Sequence, residues 1–438
     1  MKYDVYFEKA KDQGINELEL LVNTDSKLNI AIFRGEIESF SSSTTKSLQA
    51  RGKVGEKVGY VNSENFDKKN IDNIISQLKD NASINESKEE CIIFKGSDKY
   101  TKKNVYSKVL KDTPVDDKIA LLKEIEAKIK AKDSRIADVE LSYSEQDSES
   151  ILKNSYGLDL KNHANYFIIY ATVIASVGEE TKTGGDFIVG QDIHGFDVDK
   201  YVDDVTSDAL DQLGGAPCDS KKYKAVLSAG VMMSLTSFFV HSCSSEEVQK
   251  NTSLLKGKLH QKVASSKLTI EERPLDKGVF YRYFDDEGVA TYNKKIIDKG
   301  VLNTYLYNLA TAKKDGVEST GNGYRGAGKV GVSDAGLSIK PGKKTLDQLF
   351  EKVNNGIYIT EVEGLHAGMN ASSGNFSLQA KGYLIENGKR STPVCLITVA
   401  GNLFTLFNDI EEVGSDVKLI FQGYSVPVIV KSLSVSGK

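Results

Sequence analysis

The sequence has no tryptophan, and only 6 prolines and 4 cysteines stand among its 438 residues. Nothing follows from the missing tryptophan. The cysteines, Cys91, Cys218, Cys243 and Cys395, are scattered with no CxxC spacing, so a soluble, reducing, cytoplasmic setting is expected. No apolar run approaches the roughly 20 residues a bilayer-spanning helix needs, which excludes such a helix. Residues 1–10 are charged and too poor in apolar side chains for a signal peptide. Positive charge is not in surplus either. A formal net charge of −4 and a pI near 5.9 argue against a general nucleic-acid surface. Heptads, low-complexity tracts and short internal repeats are missing as well.

What remains is a globular composition, 39% hydrophobic and 27% charged with 37 glycines, long enough for two domains of roughly 100–200 residues each. The Gly214-Gly215-Ala216-Pro217 punctuation sets the expected boundary, giving domains 1–217 and 218–438. Alternation over 16–24, 28–33, 36–41 and 47–61, broken by Gly52, Gly55 and Gly59, predicts a meander of three or four antiparallel strands. Ile71, Ile74, Ile75 and Leu78 predict a helix over 63–82, with Ser63 as its cap. Pro114 opens a second helix whose stripe is Val115, Ile119, Leu122, Ile125 and Ile129. Strands are expected over 136–143, 148–154 and 165–179, and a helix over 199–213. The fold class is therefore α+β: an N-terminal antiparallel sheet with helices on one face, followed by a β-rich C-terminal domain with a buried helix.

That buried helix is expected over 229–251. Val231, Leu235, Phe238 and Ser242 share one stripe, with Met232 and Phe239 beside it. His241 arrives where the apolar run stops, and Cys243, Glu246 and Glu247 follow. A His ahead of a Cys and two Glu is a place to look for a metal. Short strands dominate afterwards, over 280–284, 290–297, 301–308, 356–361, 376–386, 394–402, 417–421 and 428–435, with helices over 345–353 and 405–409.

Several of these pieces, in this order, match a known family. They are Arg34-Gly35-Glu36-Ile37-Glu38-Ser39, Val58-Gly59-Tyr60, Asn154-Ser155-Tyr156-Gly157, Leu268-Thr269-Ile270-Glu271-Glu272 and Phe284-Asp285-Asp286-Glu287-Gly288-Val289. Ile297-Asp298-Lys299-Gly300-Val301-Leu302, Ser319-Thr320-Gly321-Asn322, Gly374-Asn375-Phe376-Ser377, Glu386-Asn387-Gly388 and Ala400-Gly401-Asn402-Leu403 complete the set. Over nearly its whole length the chain resembles the TldD/PmbA family, the "modulator of DNA gyrase" proteins, and within it the PmbA/TldE branch. The resemblance implies a cytoplasmic two-domain dimer. It also implies a division of labour: a TldD-like partner bears a zinc-type metal on an HExxxH helix and a C-terminal Cys, and the pair trims or degrades unfolded peptides.

Set against HExxxH, His241 stands at the first His, Ser242 replaces the general base, and Glu246 replaces the second His. No Cys stands in 417–423 before Ser425-Val426-Pro427. A catalytic zinc needs about three protein ligands, and its water needs a base within reach. On one ideal helix His241 and Glu246 point roughly 140° apart. The expectation is therefore a degenerate site at His241, Ser242 and Glu246, with no metal or cofactor on this chain and no catalytic residue assigned. His241 is then a helix-end residue near the last carbonyls, and Cys243 a small buried one. Asp285-Asp286-Glu287 is read as a turn whose carboxylates cap backbone donors rather than as an acid–base cluster. The glycine-rich stretch 321–328 is read as a mobile loop beside a cleft rather than a phosphate cradle.

Two functions remain in view. One is a non-catalytic subunit of a TldD/TldE-type metallopeptidase, able to form a homodimer alone and to hold an unfolded peptide. The other is a metallopeptidase in its own right, with an altered site around His241 and Glu246. A DNA-gyrase or DNA-binding role has no basic field behind it, and neither nucleic acid nor membrane is expected as a partner.

Overall fold

The computed structural model describes residues 3–86, 90–326, 329–420 and 423–438. The chain opens with helix α1 (Asp4–Asp12) and three strands, β1 (Glu17–Phe33), β2 (Glu36–Val54) and β3 (Lys57–Ser63). Helices α2 (Ile71–Ile84), α3 (Lys108–Asp112) and α4 (Val115–Lys132) follow. Then come β4 (Ile136–Asn154), β5 (Asp159–Val177), β6 (Glu180–Gly190) and α5 (Val198–Leu210). The six strands form one antiparallel sheet in the order β3-β2-β1-β4-β5-β6.

The helices lie on one face, as the alternation requires. Even-numbered β1 residues carry that face: Leu18, Leu20 and Val22 pack with α1 and α2, and Ile30 and Ile32 with α4 and α5. Burial of each such side chain contributes about 1.5–3 kcal/mol. Gly59 sits where α2 presses on β3, and a Cβ there would lie 1.9 Å from the Leu78 carbonyl oxygen.

The strands are longer than their side-chain patterns predict. Residues 16–24 and 28–33 form one strand, because the polar residues Asp25, Ser26 and Lys27 are paired on both sides, with Thr45, Thr44 and Ser43 and with Ser148, Asp147 and Gln146. Ladder hydrogen bonds use the backbone, so alternation can lapse without ending a strand. The same holds for 136–154. The expectation of a cap at Ser63 fails: Ser63 ends β3 and donates to the Asn65 carbonyl at 2.7 Å, while Asn70 precedes α2. Strand β6 escaped the pattern because of its Gly184-Gly185 pair; a Cβ at Gly184 would meet the α5 backbone at 2.4 Å.

From residue 221 the chain builds a second assembly. Strand β7 (Lys221–Leu227) lies between Gly356–Glu363 and Val428–Ser436, and Asn375–Glu386 and Lys389–Asn402 continue the sheet. Thr398–Ala400 then pair back onto Ser434–Ser436, closing the sheet into a barrel. A second, mixed sheet includes Ile270–Glu272, Lys294–Asp298 and Leu337–Ile339. Of the strands expected here, 280–284 makes only a single bridge from Phe284 to Ala290. Strand 417–421 is present as Lys418–Ile420; Phe421 lies outside the described residues.

Helix α6 (Ala229–His241) follows β7 directly. Ser228 caps it, accepting from Val231 N at 3.2 Å and donating to the Thr360 carbonyl at 2.8 Å. Its Met232, Met233, Phe239 and Val240 are fully buried between the barrel and the second sheet, and Phe239 stacks on Phe407 at 4.4 Å. The expectation of one helix over 229–251 is corrected. α6 stops at His241, and a separate short helix α7 (Ser245–Gln249) begins after a turn. The break is stitched across the chain: Leu306 N donates to the Cys243 carbonyl at 2.9 Å, and Ser245 N to the Leu306 carbonyl at 3.0 Å.

Candidate functional site

A cleft of about 650 Å³ lies between the N-terminal sheet and the C-terminal assembly. Arg51 of β2, Tyr60 of β3 and Cys91 line one wall. Glu246 and Gln249 of α7, together with Asn308, Thr311 and Lys313 at helix α8 (Leu309–Asp315), line the other. Glu287 also lines it, and Lys313 pairs with Glu90, another lining residue.

The positions set against HExxxH, together with Cys243, are dispersed rather than gathered. His241 is exposed at the end of α6 and is not among the residues lining the cleft. Ser242 is buried, and its carbonyl accepts from the Ser253 hydroxyl at 2.5 Å. Cys243 turns into the core with no exposure, where burial pushes its thiol far above its ordinary pKa. Glu246 alone reaches the cleft, facing Gly331 of the neighbouring hairpin. A zinc-type ion needs about three ligands at roughly 2.0–2.3 Å. One donor facing solvent, one in the core and one in a cleft do not fit it. Among the described residues no three His, Cys, Asp or Glu side chains lie close enough to share an ion.

The Asp285-Asp286-Glu287 turn reaches the cleft through Glu287 and is the clasp between the two halves. Asp285 is fully buried. One of its oxygens accepts from Glu287 N and Val289 N at 2.9 Å each, and the other from Gly323 N at 2.7 Å. Asp286 accepts from Arg325 N at 2.8 Å and from the Arg282 guanidinium at 2.6 Å. Glu287 accepts from Leu309 N at 2.7 Å and lies 3.5 Å from Arg51. Arg51 is held at 2.6 Å by Glu19 of β1, and Glu19 also contacts Arg325. Apolar packing runs beside this ladder of charges, with Leu21, Leu152 and Leu160 of the sheet against Tyr281, Tyr283 and Phe284. The carboxylates therefore cap backbone donors, as the turn reading predicts, and they also bind one half of the chain to the other.

Stretch 321–328 differs from its expectation. Gly323–Arg325 and Val330–Val332 form a hairpin, anchored by the Asp285 and Asp286 contacts. It is not a loose loop there; Ala327 and Gly328 lie outside the described residues. Arg325, Glu19 and Arg51 were missed from sequence. Glu19 carries the only signal, a carboxylate flanked by Leu18 and Leu20 in a strand.

Burial and the neighbouring Glu287 push Asp285 up to about 7, although the bonds from Gly323 and Val289 pull the other way. Glu287 is raised too, chiefly by burial. The folded chain then holds protons that the unfolded chain would release. This contribution to stability is complete below the ordinary Asp value and is lost as pH rises through about 7. Unfolding stability is expected to fall between about pH 4 and pH 7, and urea titrations across that window check it. A flat or rising profile would contradict the raised carboxyl pair.

Burial pulls Arg325 down to about 9, still high enough to keep it a cation at neutral pH. Cys91 is raised by burial and is poorly suited to act as a nucleophile.

Comparison with known proteins decides the family. The domain 1, central and C-terminal models of the PmbA/TldA metallopeptidases match residues 18–82, 108–213 and 220–437. This chain belongs to the PmbA/TldD family. A Methanocaldococcus jannaschii relative named a metalloprotease is 28% identical over 440 residues, covering 96% of this chain and 95% of that protein. The metalloprotease PmbA of Escherichia coli O157:H7 is 26% identical, covering 74% of this chain and 70% of its own. A PmbA homolog from Buchnera aphidicola is 30% identical, covering 61% of this chain and 59% of that one. Among solved structures, a Thermotoga maritima protein described as a candidate modulator of a DNA gyrase superposes with a TM-score of 0.92 at 29% identity, covering 99% of both chains. TldE from Thermococcus kodakarensis has the same fold, at a TM-score of 0.90 and 22% identity over 99% of both chains. The PmbA/TldD fold thus extends over the whole chain. No helix among the described residues is long and apolar enough to cross a membrane.

Proposed function

We propose that this chain is the PmbA/TldE-type, non-catalytic subunit of a cytoplasmic metallopeptidase. Its partner is a TldD-like chain carrying the zinc-type metal, and the pair processes or degrades unfolded peptides. The observation that supports this is the scatter of the four side chains at 241–246. In a family whose relatives are named metalloproteases, this chain presents a solvent-facing His241, an inward Ser242, a core Cys243 and only Glu246 in the cleft. Ser242 has no basicity near neutral pH with which to activate water. The chain's part is to complete the chamber and hold an extended peptide, whose backbone a sheet edge can bind.

The test is co-purification with a TldD-like chain, together with transition-metal analysis of the untagged protein after dialysis against a weak chelator. The expected results are a stable complex, a metal ratio near zero for this chain alone, and cleavage of a disordered peptide only when both chains are present. If the isolated chain held one ion and cleaved peptide in a manner abolished by His241→Ala, it would be an enzyme in its own right.

A further inference from the structure

We propose that the loop over residues 250–262 is a peripheral docking surface for an anionic lipid bilayer. The inference stands apart from the peptidase reading and concerns where the folded chain settles. The net charge of −4 is an average over the chain, and one stretch departs from it. Residues 248–270 hold Lys250, Lys256, Lys258, Lys262 and Lys267, and no Asp or Glu. Among the described residues Lys250, Lys256, Lys258 and Lys262 form no ion pair, and Lys256 donates only to the Asn251 side chain. Glu247, just ahead of the stretch, is held by the Thr252 hydroxyl at 2.6 Å.

The loop is braced at both ends. Leu255 packs in the C-terminal core, and its carbonyl accepts from the Tyr305 hydroxyl at 2.6 Å and from Lys258 N at 3.0 Å. Ser253 donates to the Ser242 carbonyl, and His260 N donates to the Leu302 carbonyl at 2.7 Å. Val263 returns the chain to the core. Between these anchors every residue from Lys256 to Lys262 is exposed. Gly257 and His260 turn the backbone there with φ of +72° and +61°, the second an uncommon angle for a residue with a Cβ. Two apolar side chains are thereby held in water: Leu254 is 52% exposed and Leu259 38%.

Exposed leucines among lysines that lack counter-charges supply the two signals a peripheral membrane site combines. Apolar groups enter the headgroup boundary, and cations are drawn to anionic lipid. Lysine suits this place, because its stem lies along apolar surface while its ammonium stays in water. Other polyanions fit less well. The stretch has no Arg to fork onto a carboxylate or phosphate, and no Phe, Tyr or Trp on which a base could stack. The contact is one of lying on a bilayer, since no helix among the described residues is long and apolar enough to cross one.

Co-sedimentation of the full chain with vesicles is the test. One set of vesicles is phosphatidylcholine alone, and the other is phosphatidylcholine mixed with phosphatidylglycerol. Binding is expected to the mixed vesicles only, and it should weaken as salt rises. Lys256→Glu with Lys258→Glu should weaken it by about thirtyfold or more. Leu254→Ser with Leu259→Ser should weaken it by about tenfold. All four side chains are exposed, so both variants should keep the parent's melting temperature, which calorimetry checks. Lys68→Glu with Lys69→Glu makes the same change in net charge at an exposed site elsewhere. It should leave binding within about twofold of the parent, because screened charges act locally. Equal binding to both vesicle sets, binding to neither, loop variants that bind as the parent does, or equal loss from the two charge reversals would each overturn the proposal. So would capture of polyglutamate or RNA by a chain that binds no vesicle, which would give the loop to an acidic protein or to a nucleic acid.

Discussion

Replacing Glu19 with alanine is expected to cost about 3–5 kcal/mol, because it leaves buried cations without their counter-charge. Glu19 has no exposure, and Arg51 and Arg325 both rest on it, with side chains 2% and 6% exposed. Among the described residues Glu287 is then the one carboxylate still paired with Arg51, at 3.5 Å, and the Arg325 side chain loses its contact with Glu19. The ladder joins β1 and β2 to the 285–287 turn and the 323–325 hairpin, so the loss falls on the contact between the two halves. Urea unfolding should become less cooperative, with the halves separating before the chain unfolds. The Lys9–Asp72 pair is the control: Asp72 is 66% exposed, and exposed pairs contribute about 0–1 kcal/mol. Should Glu19→Ala and Asp72→Ala shift the midpoint equally, the buried ladder would have no special role.

Phe239→Ala is the second large effect, at about 3–5 kcal/mol. The ring is fully buried, stacks on Phe407 at 4.4 Å with 2° between planes, and meets Phe404 at 5.5 Å. Three elements lose contact at once: α6, the helix Leu403–Asn408 and the barrel interior. Phe239→Leu keeps most of the volume and should lose much less. Thermal unfolding followed by calorimetry separates the two variants. Equal melting temperatures would mean that the cavity collapses and that the stack contributes little. Because α6 leads into α7, the alanine variant should also loosen Glu246 at the cleft.

The parts of the fold legible in sequence were those with strong periodicity. The Leu18-Leu20-Val22 alternation and the Leu122, Ile125 and Ile129 positions of α4 encode a buried face and fold as it predicts, whereas Val115 is exposed and α6 is buried on nearly every side rather than along one stripe. Strand lengths were not legible, because the Asp25-Ser26-Lys27 stretch is held by backbone pairing that side chains do not record. The break after His241 was hidden for a related reason. Its cause is Leu306, which bridges Ser244 from far along the chain. At the cleft, the Asp285 turn could be read locally, since Asp before Gly is turn chemistry. Its partners could not. Arg51, Glu19 and Arg325 meet only through tertiary structure, and a charged residue in a strand ordinarily marks a wet face.

The closed barrel constrains the order of events during synthesis. Its strands come from 221–227, 356–363, 375–402 and 428–436, and the closing pairs join 398–400 to 434–436. No nascent chain short of residue 428 can contain the finished barrel. The N-terminal sheet draws only on residues 17–190, and most of its neighbours are joined by tight turns. Domains fold as units, the earlier-made one first, as the chain emerges. The sheet is therefore complete while the barrel is still open, and Glu19 and Arg51 are in place to receive the 285–287 turn and the 323–325 hairpin when they arrive.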